Sequence, residues 1–341
     1  VIALIVIGGT SAQAYSSANF DISSLNGSTL LDKLNFPPAP SSGFIYILGG
    51  GATTGALKDV WTSTSTEIYK NHWKQLTNNP AWGQPTTAVP IGVNFKNELW
   101  IVTGETSGPS QVSHSANGVT WTNTPTPPWS KRNEQGLVVF NDGAGDAMWM
   151  VGGIDGANRY GDVWKTYDGI NWTLVTPTTP WSAIYSNNRS LIAFNGELWF
   201  IAGNPTPSTP TSSVWHSSNG INWAQSVAIA PFGPRGLQSQ VVFDNKMWII
   251  GGQSQGGNQN DVWYSSDGTN WIQATAHAQW AGRRFHSSVV FDNKMWVLGG
   301  IVGFGVVNDA WYSSDGVNWF PTSPLQMPWV ARAMHTVIVK P

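Results

Sequence analysis

Cysteine is absent from the 341-residue chain. That excludes a disulfide framework, thiolate chemistry and any zinc site built on cysteine. Charge is also scarce: Asp, Glu, Lys and Arg together make up 11% of the residues, and the formal net charge is −2. There is no concentrated Lys/Arg footprint of the kind nucleic-acid binders carry, so nucleic acid is not expected as a partner. After residue 9 no stretch is apolar over the roughly 20 residues that a membrane helix needs. The six histidines (72, 114, 216, 277, 286 and 335) show neither H-x-H nor H-E-x-x-H spacing, and no metal or other cofactor is expected.

What is abundant is Trp, at 21 residues, and Gly, at 37. A long, weakly charged chain of this composition points to an all-β architecture with many turns. An internal repeat dominates it. FIYILGG (44–50), ELWIVTG (98–104), MWMVGG (148–153), ELWFIAG (197–203), KMWIIGG (246–252) and KMWVLGG (294–300) are copies of one motif, and from Trp100 its aromatic recurs at 149, 199, 248 and 296.

Each unit carries four short apolar or alternating segments, as in RRFHSSVVFDN, KMWVLGG, NDAWYSS and VNWFPT. Between the third and fourth stand Asn117-Gly118, Asp168-Gly169, Asn219-Gly220, Asp267-Gly268 and Asp315-Gly316. These pairs predict hairpins with type I′ turns, because Asn, Asp and Gly accept positive φ. Four antiparallel strands per unit make a propeller blade. The segment that precedes the GG strand is missing before the first copy and appears at the C-terminus as RAMHTVIV (332–339). The expected fold is therefore a six-bladed β-propeller over residues 43–341, its ring closed by the C-terminal strand, preceded by an N-terminal extension over 1–42.

The run of an apolar strand ending in Gly-Gly, a loop, and then NDVWYSSDG-x-NW resembles the kelch repeat. The SSDG-x-NW hairpin also resembles the Asp-box of sialidases and related propellers, one residue shorter. Similarity to kelch-type copper oxidases would imply a Tyr crosslinked to Cys, which a chain without Cys does not have. Sialidase-type activity would imply an arginine triad with a Tyr nucleophile, and no Tyr-Glu pair is recognisable on the inner strands. Glu105, Glu134 and Asp155 are carboxyls by loop position only. No catalytic constellation emerges, and a non-enzymatic protein is expected.

Trp occupies four repeat positions, and repetition in every unit is what packing between blades requires, whereas a single ligand does not. Five of the seven Arg fall at or near the start of the inner strands: Arg132, Arg189, Arg235, Arg283 and Arg332. His286 and His335 join them. Such a ring would favour a carboxylate, sulfate or acidic sugar at the channel mouth. Alternatively these Arg bond loop carbonyls or pair with acids such as Asp155, Glu134 or Asp309. Sequons stand at Asn26, Asn171 and Asn188.

The first 42 residues lie outside the repeats and end in the Pro- and Ser-rich NFPPAPSSG. Val1 to Gly9, with Val1, Ile2, Leu4, Ile5, Val6 and Ile7, is apolar, and Ala12-Gln13-Ala14 has the form of a signal-peptidase site. The segment reads as a signal peptide, as the tail of a hydrophobic helix like those on which pilin-like subunits assemble, or as a strand for β-addition to a neighbour. Because the repeat count is complete without it, the expectation adopted is self-assembly. The whole then reads as an extracellular or cell-surface structural or adhesive subunit. Its partners would be other copies of itself, with membrane contact only transiently through the N-terminal segment; the alternative is a secreted carbohydrate-binding or carbohydrate-active propeller that takes a glycan or anionic ligand at the Arg/His-lined channel mouth.

Overall fold

The computed structural model describes residues 43–82, 90–104, 108–156, 158–181, 190–203 and 211–341. The predicted assembly segment Val1–Ile7, the sequons at Asn26 and Asn188, and Arg189 lie outside the described residues. The fold is all-β, and the sole helical piece among the described residues is the 3-10 turn Ile68–Lys70.

Six sheets are four-stranded and antiparallel. The first consists of Thr336–Lys340, Phe44–Ala52, Gly55–Thr64 and Lys74–Thr77, in that spatial order. Its C-terminal strand pairs Ile45 with Val339 and Ile47 with Val337, so the two ends of the described chain share one sheet. The other five sheets begin at Ile91, Gly136, Leu191, Ser239 and Ser287; their four strands follow in chain order, with a short extra hairpin between the second and third in the third sheet (Ile154–Asp155, Asn158–Arg159) and the sixth (Ile301–Val302, Gly305–Val306).

In five sheets the strand that precedes the GG strand in the chain is an edge, and in the first Thr336–Lys340 takes that place. These edge strands, here called innermost, lie against one another in succession around the six sheets. Thr336–Lys340 touches both Ile91–Phe95 of the second sheet and Ser287–Phe291 of the sixth.

The second strand of each sheet is buried along its length, as in Met148 to Val151 at 0% exposure. A continuous apolar run is what a strand covered on both faces requires. Fourth strands, at the other edge, are exposed over their first two residues and partly buried over the next two, as in Thr173–Thr176 and Ile272–Thr275.

Six apolar clusters form the core, each shared by two consecutive sheets. Trp199 and Ile201 of the fourth meet Met247 and Ile249 of the fifth, and Trp296 and Leu298 of the sixth meet Ile45 and Ile47 of the first. Inter-sheet packing is thus where the Trp residues act. Six aromatic pairs repeat one near-perpendicular geometry between a connecting segment and the start of a fourth strand. Trp129 and Trp172 lie 4.7 Å apart at 89°, Trp181 and Trp223 4.7 Å at 89°. Phe232 takes the Trp position against Trp271, at 5.1 Å and 85°.

The turns differ from expectation. Type I′ geometry, with both central φ positive, occurs between the first and second strands: Lys96 and Asn97 at 51° and 61°, Asp244 and Asn245 at 49° and 51°, Asp292 and Asn293 at 51° and 53°. In the SSDG-type hairpins only the Gly has positive φ. There the acid works as a cap. Asp267 Oδ1 accepts from the N–H groups of Thr269 and Asn270, while Ser265 Oγ accepts from the Gly268 N–H. Trp271 Nε1 donates to the Gly268 carbonyl. Side-chain caps of this kind compete with a tight two-residue turn, and here they win.

The Gly of each hairpin also seats a neighbour. A Cβ on Gly268 would lie 1.9 Å from Trp199 of the preceding sheet, on Gly316 2.1 Å from Trp248, and on Gly169 2.2 Å from Trp100. The first sheet lacks such a Gly. Tyr69 fills the place instead, its ring 5.1 Å from Trp296 and its hydroxyl donating to Asp292 at 2.7 Å.

Candidate functional site

The segments leading into the innermost strands carry the predicted arginines. Arg132, Arg235, Arg283 and Arg332 are buried, at 3%, 3%, 1% and 0% exposure. Each makes the same clamp. Arg235 donates to Asp261 at 2.6 and 2.8 Å and to the Gly251 carbonyl at 3.1 Å. Arg283 donates to Asp309 at 2.8 and 2.9 Å and to the Gly299 carbonyl at 2.9 Å. Arg332 donates to Asp59 at 2.6 and 2.7 Å and to the Gly49 carbonyl at 2.9 Å. Arg132 pairs with Asp162 and donates to the Gly152 carbonyl at 3.1 Å.

The same Asp accepts from a third-strand Trp, as Asp261 does from Trp263 Nε1 at 2.8 Å. One clamp therefore ties the segment entering a sheet to that sheet's second and third strands. The bidentate fork of Arg suits this, and its flat face lies over Tyr160 at 3.9 Å in the case of Arg132.

This geometry replaces the expected ring of guanidinium groups open to an anion. Each of the described four directs guanidinium donors at an Asp and a Gly carbonyl of the protein itself. Of the acids anticipated as partners, Asp309 holds Arg283, whereas Asp155 takes Lys131 at 3.5 Å. The Asp partners were readable in the chain. An Asp two residues before the third-strand Trp recurs at 59, 162, 261 and 309; in the second and fourth units Gln111 and Ser213 replace it, and Thr87 and Ser186 stand where the Arg would be.

His286 and His335 are buried at 0% exposure, below the rim. His286 Nε2 lies 2.6 Å from Ser239 Oγ, and that oxygen lies 2.5 Å from Ser288 Oγ, on the innermost strands of the fifth and sixth sheets. Ser287 Oγ donates to the His335 carbonyl at 2.7 Å across the next junction. Asn171 is exposed, with its amide donating to Asp168 at 2.7 Å.

One residue ahead of each such position, the backbone is left-handed at a residue with a large side chain: Glu134 at φ 57°, Leu237 at 61°, Phe285 at 55° and Met334 at 58°. Left-handed φ costs an L-residue about 1–2 kcal/mol. Contacts between sheets hold it: the Phe285 N–H donates to the Leu237 carbonyl, and the Met334 N–H to the Phe285 carbonyl. Glu134 is the one carboxyl among these four, and burial pushes it up to about 7.

No protein-family model matches this chain, and no curated protein matches it. Among the described residues no group of three or more His, Asp or Glu could hold a metal ion, and no helix is long and apolar enough to cross a membrane. The site that remains is the set of innermost strand starts, with its clamps, its left-handed residues and the Ser/His contacts beneath them.

Proposed function

We propose that this chain is an exported structural or adhesive subunit, a six-bladed kelch-like β-propeller that polymerises through its N-terminal hydrophobic segment. The propeller part of the reading rests on six four-stranded sheets, whose innermost strands follow one another round to the strand shared by both ends. The observation that carries the assembly part is the pairing of Thr336–Lys340 with Phe44–Leu48. Among the described residues, the six sheets draw their strands from 44–340. An apolar segment such as Val1–Ile7 gains about 25 cal/mol per Å2 when covered, which favours burial against another copy. A contact running from the tail of one subunit to the body of the next is heterologous and builds a filament.

Deletion of residues 1–14 tests this. The expected outcome is conversion of filaments into monomers in electron micrographs and in size-exclusion chromatography with light scattering. Unchanged particle size and morphology after the deletion would overturn the proposal.

A further inference from the structure

The junction between the fifth and sixth sheets holds a chain of polar groups. Ser288 Oγ lies 2.5 Å from Ser239 Oγ, which lies 2.6 Å from His286 Nε2. Along this line exposure falls inward: Ser288 is only partly buried, while Ser239 and His286 are both at 0%. A hydroxyl at the surface end of a relay that ends in an imidazole is the arrangement in which a weak nucleophile is activated by a base. The imidazole is packed in place. Trp280 lies 6.3 Å from it, and a Cβ on Gly251 would meet its Cε1 at 3.3 Å, so both neighbours restrict its rotation.

Two further features surround Ser288. Its strand, Ser287–Phe291, is paired on one side only, so alternate backbone N–H groups of its free edge are available to a developing oxyanion. Just ahead of the two serine-bearing strands, and of the one that follows them, Leu237, Phe285 and Met334 form three consecutive half-buried apolar positions, linked by the backbone bonds described above. Phe285 stands three residues ahead of Ser288 on the segment entering its strand, an apolar position for an acyl chain.

We infer that Ser288 is an acyl-accepting nucleophile for carboxylic esters with apolar acyl groups, with Ser239 relaying its proton to His286. Ser288 Oγ attacks the ester carbonyl carbon. Its proton passes to Ser239 Oγ as the Ser239 proton passes to His286 Nε2. The carbon–alkoxide bond then breaks, and the leaving alkoxide takes the Ser239 Oγ proton as the imidazolium returns its own to Ser239. Water attacks the acyl-serine by the same steps and releases the acid. Ser288 touches the substrate, while Ser239 and His286 act through it. This goes beyond the assembly reading and depends on the propeller reading only for solvent access along the axis.

Two measurements test it. An alkyl fluorophosphonate, which forms an Oγ–P bond and expels fluoride, is expected to label Ser288, located by peptide mapping. The rate should drop by about 100-fold or more in Ser239→Ala and His286→Gln, in line with loss of general-base assistance, with unfolding midpoints recorded for each. Because the chain has no Cys, Ser288→Cys creates a unique thiol at a position that is not fully buried. Its alkylation by iodoacetamide is expected to slow at least tenfold when His286→Gln is added, a change that a purely packing role of the histidine does not produce.

Absence of the phosphonyl group from Ser288, or rates indifferent to Ser239 and His286, overturns the inference. Electron-microscopic class averages showing a six-lobed disc report on the propeller separately, so an inert Ser288 in such a disc sinks the relay alone.

Discussion

Replacing Gly268 by Ala separates the two demands made on the hairpin glycines. Gly268 has φ +73°, and an added Cβ would stand 1.9 Å from Cζ3 and 2.3 Å from Cη2 of Trp199, a side chain 5% exposed. Gly196, in a turn between first and second strands, has nearly the same φ, +74°, with nothing within 4 Å of the added atom. Both substitutions incur the left-handed penalty of about 1–2 kcal/mol, offset by about 0.4–1 kcal/mol from the stiffer unfolded chain.

Gly268→Ala alone forces the indole to move, and overpacking of a buried contact costs about 1–3 kcal/mol more. The expected ordering is therefore Gly268→Ala less stable than Gly196→Ala by about 1–3 kcal/mol. Urea unfolding followed by tryptophan fluorescence measures it, provided the slope with denaturant stays constant across the variants. Adding Trp199→Phe to Gly268→Ala should recover part of the loss, since a phenyl ring reaches less far. Equal destabilisation by the two Ala substitutions, to within about 0.5 kcal/mol, would refute the claim that these glycines exist to seat the neighbouring sheet's Trp.

The clamps and the titrating carboxyls give further tests by the same assay. Asp261→Ala leaves the Arg235 guanidinium buried without its partner and is expected to cost about 3–5 kcal/mol, whereas Arg159→Ala, an Arg outside the clamps, should change stability far less. Glu134 has its folded pKa raised to about 7 by burial. Its native form binds the extra proton, so stability falls as pH rises from about 4.5 to 7, and Glu134→Gln should raise the unfolding midpoint at pH 8 but not at pH 4. Asp267 behaves oppositely. Its slight burial raises the pKa, but hydrogen bonds from the Asn270 backbone and amide and from the Thr269 N–H outweigh it and bring it to about 2. Its stabilisation, present at neutral pH, is lost as pH falls from about 4 towards 2, and Asp267→Asn should flatten that acid loss.

Repetition made most of the fold readable without coordinates. The recurring GG strand, the count of strand segments and the return of the missing first one at residues 332–339 are linear patterns; most strands pair with neighbours in the chain, and the returning one is the exception that pairs with Phe44–Leu48. Trp in every unit likewise announced packing between sheets. Turn geometry was less readable. Asp267-Gly268 has the composition of a tight type I′ turn, yet Ser265 and Asp267 bond the hairpin's own N–H groups and open it into a wider loop. The true type I′ turns include Lys96-Asn97 and Asp292-Asn293, which lack the Gly that signals such a turn, beside Asn195-Gly196, which has it.

By itself the amino-acid order determined that the described residues are all-β, where their strands run, and that residues 44–48 and 336–340 share one sheet, because these follow from periodicity and from the spacing of Gly and Trp. Only the tertiary structure decided what the arginines do. Arg235 and Asp261 are 26 residues apart, Arg332 and Asp59 are 273 apart, and whether a guanidinium faces solvent or a buried carboxylate depends on which strands fold beside it. The line from Ser288 through Ser239 to His286 is of the same kind. It joins two sheets, and its groups come within hydrogen-bonding reach only because the innermost strands of those sheets pack side by side.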